Sequence, residues 1–215
     1  MPLKKNMNIS EICDYLEYDL KKSIINDVQP VIQPSQQEGG YFGVPRLVLC
    51  YVDYLSALYE GYHGETDRKG RKVIAKSKYA KNFIKKVLSK VNPLYAKYGD
   101  FLYEMYRNGT VHLYQPKTFI NMQTREMLSW VIYKGSRNAD TQEYGRVCHM
   151  QPQKRDNTAR WILPISINCL FDDLVASIDN FKEMLRANSN LVTKWKSTAN
   201  ALLEIEETDL RWDIP

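Results

Sequence analysis

Residues Tyr103–Tyr114 read YEMYRNGTVHLY and close an amphipathic run that begins at Pro93. Leu94, Tyr98, Phe101, Leu102 and Met105 recur in that run at helical spacing, which predicts a helix over Pro93–Arg107. Just past the last of these stand a guanidinium (Arg107), an amide (Asn108), a glycine (Gly109) and an imidazole (His112). On an uninterrupted helix, a step from Arg107 to His112 turns the second side chain about 140° from the first. The two groups can meet at one small anion only where the backbone bends. Gly109 permits that bend, because glycine takes positive φ as a helix ends. The plainer alternative is an arginine that offsets the helix dipole and a histidine satisfied by a nearby carbonyl.

The helices on the N-terminal side follow from the same periodicity. Ile12, Leu16, Leu20, Ile24 and Val28 mark the buried stripe of a first helix over Ile9–Ile32, with Ser10 as cap and Pro30 and Pro34 as its end. Tyr41–Tyr62 is apolar nearly all round, which predicts a helix central to a bundle, with Pro45 in its first turn and Gly61 at its end. Arg46, Asp53 and Glu60 repeat every seven residues along one narrow stripe of it. They read as a solvent stripe, or as a stripe from which Asp53 supports Arg107. Lys76–Val91 predicts a third helix that buries Tyr79, Phe83, Ile84, Val87, Leu88 and Val91.

After Pro116 the texture changes. Thr118–Asn121, Met127–Lys134, Tyr144–Met150 and Arg160–Asn168 are short β-branched and aromatic runs separated by turn-forming pieces, and they predict a small antiparallel sheet. Pro164 predicts that the last run is an edge or irregular. Helical spacing returns at Asn168, a suitable cap, with Asp172 and Asp173 in the first turns, and a last helix follows over about Leu191–Glu207. The expected fold is therefore mainly α, of α+β type. It is a single domain over 1–215, with a helical bundle from 9–116 and 168–207 and a β-rich insertion at 117–167.

Charge is distributed unevenly. Eleven Lys and Arg stand against Glu65 and Asp67 between Tyr62 and Lys97, while the C-terminal stretch is acidic. A basic block beside a candidate phosphate site suits a polyanion, because each neutralised phosphate releases counterions. The residues expected to hold a strand are Lys78, Lys81, Lys85, Arg71 and Lys72; a solvated helix face and a lysine-rich loop are the ordinary alternative. The 15 tyrosines suit interfaces and base stacking as well as boundary packing.

Other chemistries find little support. The four cysteines have no C-x-x-C spacing, and three lie in apolar runs as small buried hydrophobes. Cys148–His149 lacks a partner pair at ligand spacing, so no metal is expected. No cofactor fingerprint, G-x-S-x-G or H-E-x-x-H occurs. No run approaches the length of a membrane span and the N-terminus lacks a signal-peptide core, which points to the cytoplasm.

The R-N-x-x-x-H sextet resembles the signature of HEPN domains, a family of helical bundles that includes many metal-independent ribonucleases. Arg107 and His112 match its Arg and His, Asn108 matches its commonest second position, and neither His63 nor His149 has an Arg at the required distance. The resemblance covers roughly Ile9–Pro116. It implies Arg107, Asn108 and His112 as catalytic residues, with Gly109 and Asp53 in support. It also implies an RNA substrate, a homodimer in which two motifs face one cleft, and an antitoxin-like protein partner in a toxin or defence role. Other members of the family are non-catalytic binding modules, so that reading stays open.

Overall fold

The computed structural model describes residues 2–32, 40–107, 115–155 and 158–204. The first helix begins with a reciprocal cap. The Asn8 side chain accepts the Glu11 N–H at 3.0 Å, and the Glu11 carboxylate accepts the Asn8 N–H at 2.7 Å. Asn8 therefore replaces Ser10 as the cap. Helix α1 (Ile9–Asp14) passes through a π-helical turn, Tyr15–Leu20, into α2 (Lys21–Ile32). The buried stripe explains the interruption. Residues that repeat every four positions drift by about 40° per step on a regular α-helix. A π turn rotates less per residue and absorbs part of that drift, so Ile12, Leu16, Leu20, Ile24 and Val28 all stay buried. Pro30 does not stop the helix but lies within its last turn.

Helix α3 (Gly43–Glu60) packs against α2 and against most of the later helices. Its end is set by Gly61, at φ 88°, where an added Cβ would come within 3.2 Å of the Lys194 backbone. Between α3 and α4 (Ser77–Lys86), the basic loop is closed rather than loose. Asp67 Oδ1 accepts the backbone N–H groups of Lys69 and Arg71, and its carboxylate pairs with the Arg71 guanidinium. A 3₁₀ turn, Leu88–Lys90, leads to α5 (Leu94–Leu102), which runs directly into a second π turn, Tyr103–Arg107. The helix predicted from Pro93 to Arg107 is thus present, with its last turn widened. Phe101 departs from the predicted stripe and is exposed.

The strands are β1 (Phe119–Ile120), β2 (Met127–Tyr133), β3 (Asn138–Thr141), β4 (Gly145–Cys148), β5 (Gln153–Lys154) and β6 (Arg160–Ser166). The antiparallel sheet expected here is instead a mixed one, in the order β1-β2-β6-β5, with β2 and β6 parallel over seven paired residues. The antiparallel hairpin β3–β4 is separate and, with β5, forms the crossover that parallel neighbours require. Pro164 sits inside β6 opposite Val131. Its carbonyl accepts from Met150 N on the far side, beyond the two-residue β5, so the missing N–H faces a place where no ladder continues.

Helix α6 (Ile167–Ala187) is capped by Ser166, not Asn168; the Ser166 hydroxyl accepts the Cys169 N–H. Helix α7 (Ser189–Leu202) completes the helical layer, capped by Asn188. Phe83, Phe181, Trp195, Tyr15 and Tyr59 form the aromatic centre, with neighbouring rings 5.7 to 6.0 Å apart. The same core takes in Met150, Leu163 and Ile165, so the sheet is packed onto the helices. No described helix is long and apolar enough to cross a membrane.

Candidate functional site

Arg107 lies at the end of the second π turn, and its side chain crosses to α3. Its Nε donates to Asp53 Oδ2 at 2.6 Å, and the Tyr103 hydroxyl donates to Asp53 Oδ1 at 2.7 Å. Asp53 thus fixes two side chains of the turn, one with each carboxylate oxygen. The α3 stripe that carries Asp53 is therefore not simply solvent-facing at this position. The Asp53 side chain is 17% exposed and that of Arg107 24%, so the pair is partly withdrawn from water without being sealed. Burial opposes the charge of Arg107, but the Asp53 hydrogen bond and charge outweigh it and hold the guanidinium proton more firmly than usual. Burial, reinforced by Asp53, likewise pushes the Tyr103 hydroxyl up and keeps it protonated.

The contact with Asp53 engages one of the several N–H donors that a guanidinium carries. What it supplies is a cation of set orientation at a partly open edge of the bundle, suited to oxyanion contact. π turns recur at functional sites because they shift the phase of the residues they carry. Asn108, Gly109 and His112, the remaining members of the motif, lie outside the described residues.

The five cations expected to hold a strand are placed around α4 and the loop before it. Lys81 pairs with Glu104 at 2.6 Å and Lys85 with Asp100 at 2.6 Å, both bridging to α5 and its π turn. Arg71 pairs with Asp67, and Lys72 with Glu204. Lys78 is exposed beside the Tyr79 ring, 5.9 Å from its centre. Half-exposed ion pairs of this kind contribute about 0–1 kcal/mol, so a phosphate can compete for these cations. The block is nevertheless less uniformly positive than its sequence suggests.

A second polar cluster lies between α5, the sheet and α6. The Tyr95 hydroxyl donates to Asp173 Oδ2 at 3.0 Å and lies 3.0 Å from His149 Nε2, while Arg137 donates to Asp173 Oδ1 at 2.6 Å. His149 Nδ1 accepts the Ser166 backbone N–H at 3.0 Å, which places the imidazole proton on Nε2. His149 is fully buried; burial pulls its pKa down and keeps it neutral. Asp173 is held below the ordinary carboxylate range because its partners His149 and Arg137 outweigh its own burial.

This cluster was not read from the sequence, where Asp173 passed as a helix-start acid. One signal was available: position 173 falls on the stripe of Leu170, Leu174, Ser177 and Phe181, and a charge on a buried stripe must find partners. The cysteines also divide differently than expected, since Cys13 and Cys169 are buried but Cys50 is exposed. Among the described residues no group of three or more His, Cys, Asp or Glu side chains has the arrangement of a metal site.

No protein-family model matches the chain, and neither the curated proteins nor the solved structures yield a match.

Proposed function

We propose that this protein binds RNA and cleaves it without a metal ion, by attack of a ribose 2′-OH on the adjacent phosphate. The observation that carries the proposal is the clamp on Arg107. A guanidinium held by Asp53, and braced through the same carboxylate by Tyr103, is pre-oriented and needs little reorganisation as charge develops. In this reading Arg107 stabilises the pentacoordinate phosphorane. His112 moves the protons, taking one from the 2′-OH or giving one to the departing 5′-oxygen, because an imidazole titrates near neutrality. Asn108 orients the imidazole or a phosphate oxygen. The 2′-oxygen bonds to phosphorus as the bond to the 5′-oxygen breaks, leaving a 2′,3′-cyclic phosphate and a 5′-OH.

One histidine per chain serves one proton transfer at a time. A two-fold dimer that brings the ends of α5 together supplies a second Arg107 and a second His112. Lys78, Lys81, Lys85, Arg71 and Lys72 hold the strand outside the cleft.

The test is degradation of single-stranded RNA in EDTA by the wild type, Arg107→Ala and His112→Ala. Cleavage by the wild type that is lost in both variants supports the enzyme. RNA binding that persists without cleavage makes the chain a non-catalytic binding module, and retention of cleavage in either variant removes the mechanism.

A further inference from the structure

Beside the Arg107 clamp, on the neighbouring strip of α3, lies an open pocket of about 400 Å³. Its floor is Leu47, Cys50, Tyr51 and Tyr54, which recur at steps of three and four and so share one face of the helix. Its opposite wall comes from the first helix, where the π turn contributes Tyr15 and α2 contributes Asp27. The polar groups of the pocket are few and specific. The Tyr15 and Tyr54 hydroxyls share a 2.8 Å hydrogen bond, and the Tyr51 hydroxyl donates to Asp27 Oδ2.

The pocket and the clamp lie on adjoining strips of α3. Cys50 lines the pocket and stands three residues before Asp53, just under one helical turn away, about 4.5 Å along the axis. It therefore stands on the side of the pocket nearer the residue that holds Arg107. Moving across α3 from Asp27, on the facing helix α2, towards Asp53, a ligand therefore meets a carboxylate, then aromatic rings, then the Asp53–Arg107 pair with the remaining guanidinium donors.

That order of chemistries repels a phosphate from one end and attracts it at the other. A half-buried tyrosine ring offers a stacking face to a flat heterocycle. A carboxylate is acceptor-only, so its best partner on a base edge is a pair of adjacent N–H donors. Guanine presents such a pair at N1 and N2. Adenine and cytosine each place a ring acceptor beside their amino group, and uracil flanks its one N–H with carbonyls.

We infer that this pocket is a base subsite for guanine, with Asp27 accepting from the guanine N–H edge, Tyr51 stacking on the ring, and the attached phosphate directed to Arg107. The inference rests on Arg107 acting as the phosphate-holding residue, and it adds that the RNA is read at a guanosine.

Cys50 provides the measurement, because it lines the pocket and is exposed whereas Cys13 and Cys169 are buried. Iodoacetamide alkylation of Cys50 in the full chain, followed by mass spectrometry, reads occupancy without any need for catalysis. Guanosine 3′-monophosphate should slow alkylation at concentrations about tenfold lower than adenosine or uridine 3′-monophosphate. Asp27→Asn, an exposed substitution, should erase that preference. Arg107→Ala should weaken protection by all three nucleotides and leave protection by guanosine, which has no phosphate, unchanged. Equal protection by guanosine and its 3′-monophosphate in the wild type would keep the base pocket and remove the phosphate role of Arg107. Unchanged alkylation with every ligand at millimolar concentration overturns the inference, even if RNA is still cleaved in EDTA. A guanine preference that survives Asp27→Asn also overturns it.

Discussion

Arg107 and Asp53 are 54 residues apart in sequence, yet Nε of one lies 2.6 Å from Oδ2 of the other. The contact ties the π turn that ends α5 to the central helix of the bundle, and Tyr103 uses the other oxygen of the same carboxylate. Asp53→Asn keeps the shape and removes the charge. It should destabilise the fold by about 1–3 kcal/mol, the range for leaving a partly buried charged group short of a partner. It should also lower RNA affinity, because the guanidinium is no longer held in place. Urea denaturation checks the first outcome and a filter-binding titration the second. The combined variant Asp53→Asn/Arg107→Ala should be less destabilised than the sum of the two single changes.

Acid should loosen the joint between sheet and helices. His149 Nδ1 accepts a backbone N–H, so protonation would set two donors against each other as well as bury a charge. Its folded pKa is depressed, which means that the unfolded chain binds a proton first as pH falls. Stability should therefore decline below about pH 6.5, the ordinary imidazole value. Asp173 adds to the same trend at lower pH. Its folded pKa is depressed too, so its contribution is present above about pH 3.9 and is lost as pH falls further. Denaturant midpoints measured from pH 7.5 to 5 should fall for the wild type and stay nearly level for His149→Leu, which starts lower. A level wild-type profile would show that His149 protonates without cost.

Helices α4 and α5 approach as closely as a glycine allows. A Cβ on Gly99 would lie 2.3 Å from Ile84 Cγ2, an atom on a branched and buried side chain with no room to swing away. Gly99→Ala should gain about 1 kcal/mol of helix propensity. It should lose more than that to overpacking, which costs about 1–3 kcal/mol or above. The expected result is a lower melting temperature, with part of the loss recovered when Ile84→Ala is added. A melting temperature that rose in the single variant would mean that the two helices are free to separate.

The proposed chemistry requires a pair of chains. Light scattering after size exclusion at micromolar concentration should report a dimer, and Arg107→Ala should leave that mass unchanged if the arginine faces the cleft rather than the interface. A monomer at that concentration contradicts the two-motif arrangement.

Much of the helical layer could be read from spacing alone. The stripe from Ile12 to Val28, Pro45 in a first turn and the stop at Gly61 all correspond to observed features, because burial selects apolar residues at the period of the helix and Pro and Gly mark its ends. The partnership of Asp53 with Arg107 was also accessible, since an acid in the middle of a mostly apolar helix has few uses. Strand pairing was not. The β-branched and aromatic runs of β2 and β6 record that they are strands, but nothing in either segment says that they run side by side in the same direction. Strand β3 was hidden for a related reason. Its residues Asn138–Thr141 belong to a turn-like piece, and only cross-strand bonds to β4 make them extended. The cluster of Tyr95, Arg137, His149 and Asp173 comes from three separate regions of the chain, so it exists only once the sheet has docked.

The π turn at Tyr103–Arg107 makes the clamp sensitive to chain length. Such a widened turn is equivalent to an α-helix that has accepted one extra residue. Losing a single codon there would restore regular winding and leave the preceding stripe of α5 seated in the core. It would also swing the guanidinium by about 100° away from the carboxylate that holds it. A shortened relative could thus keep this architecture while having its cation aimed elsewhere, so resemblance in overall shape would say little about whether the chemistry had been inherited.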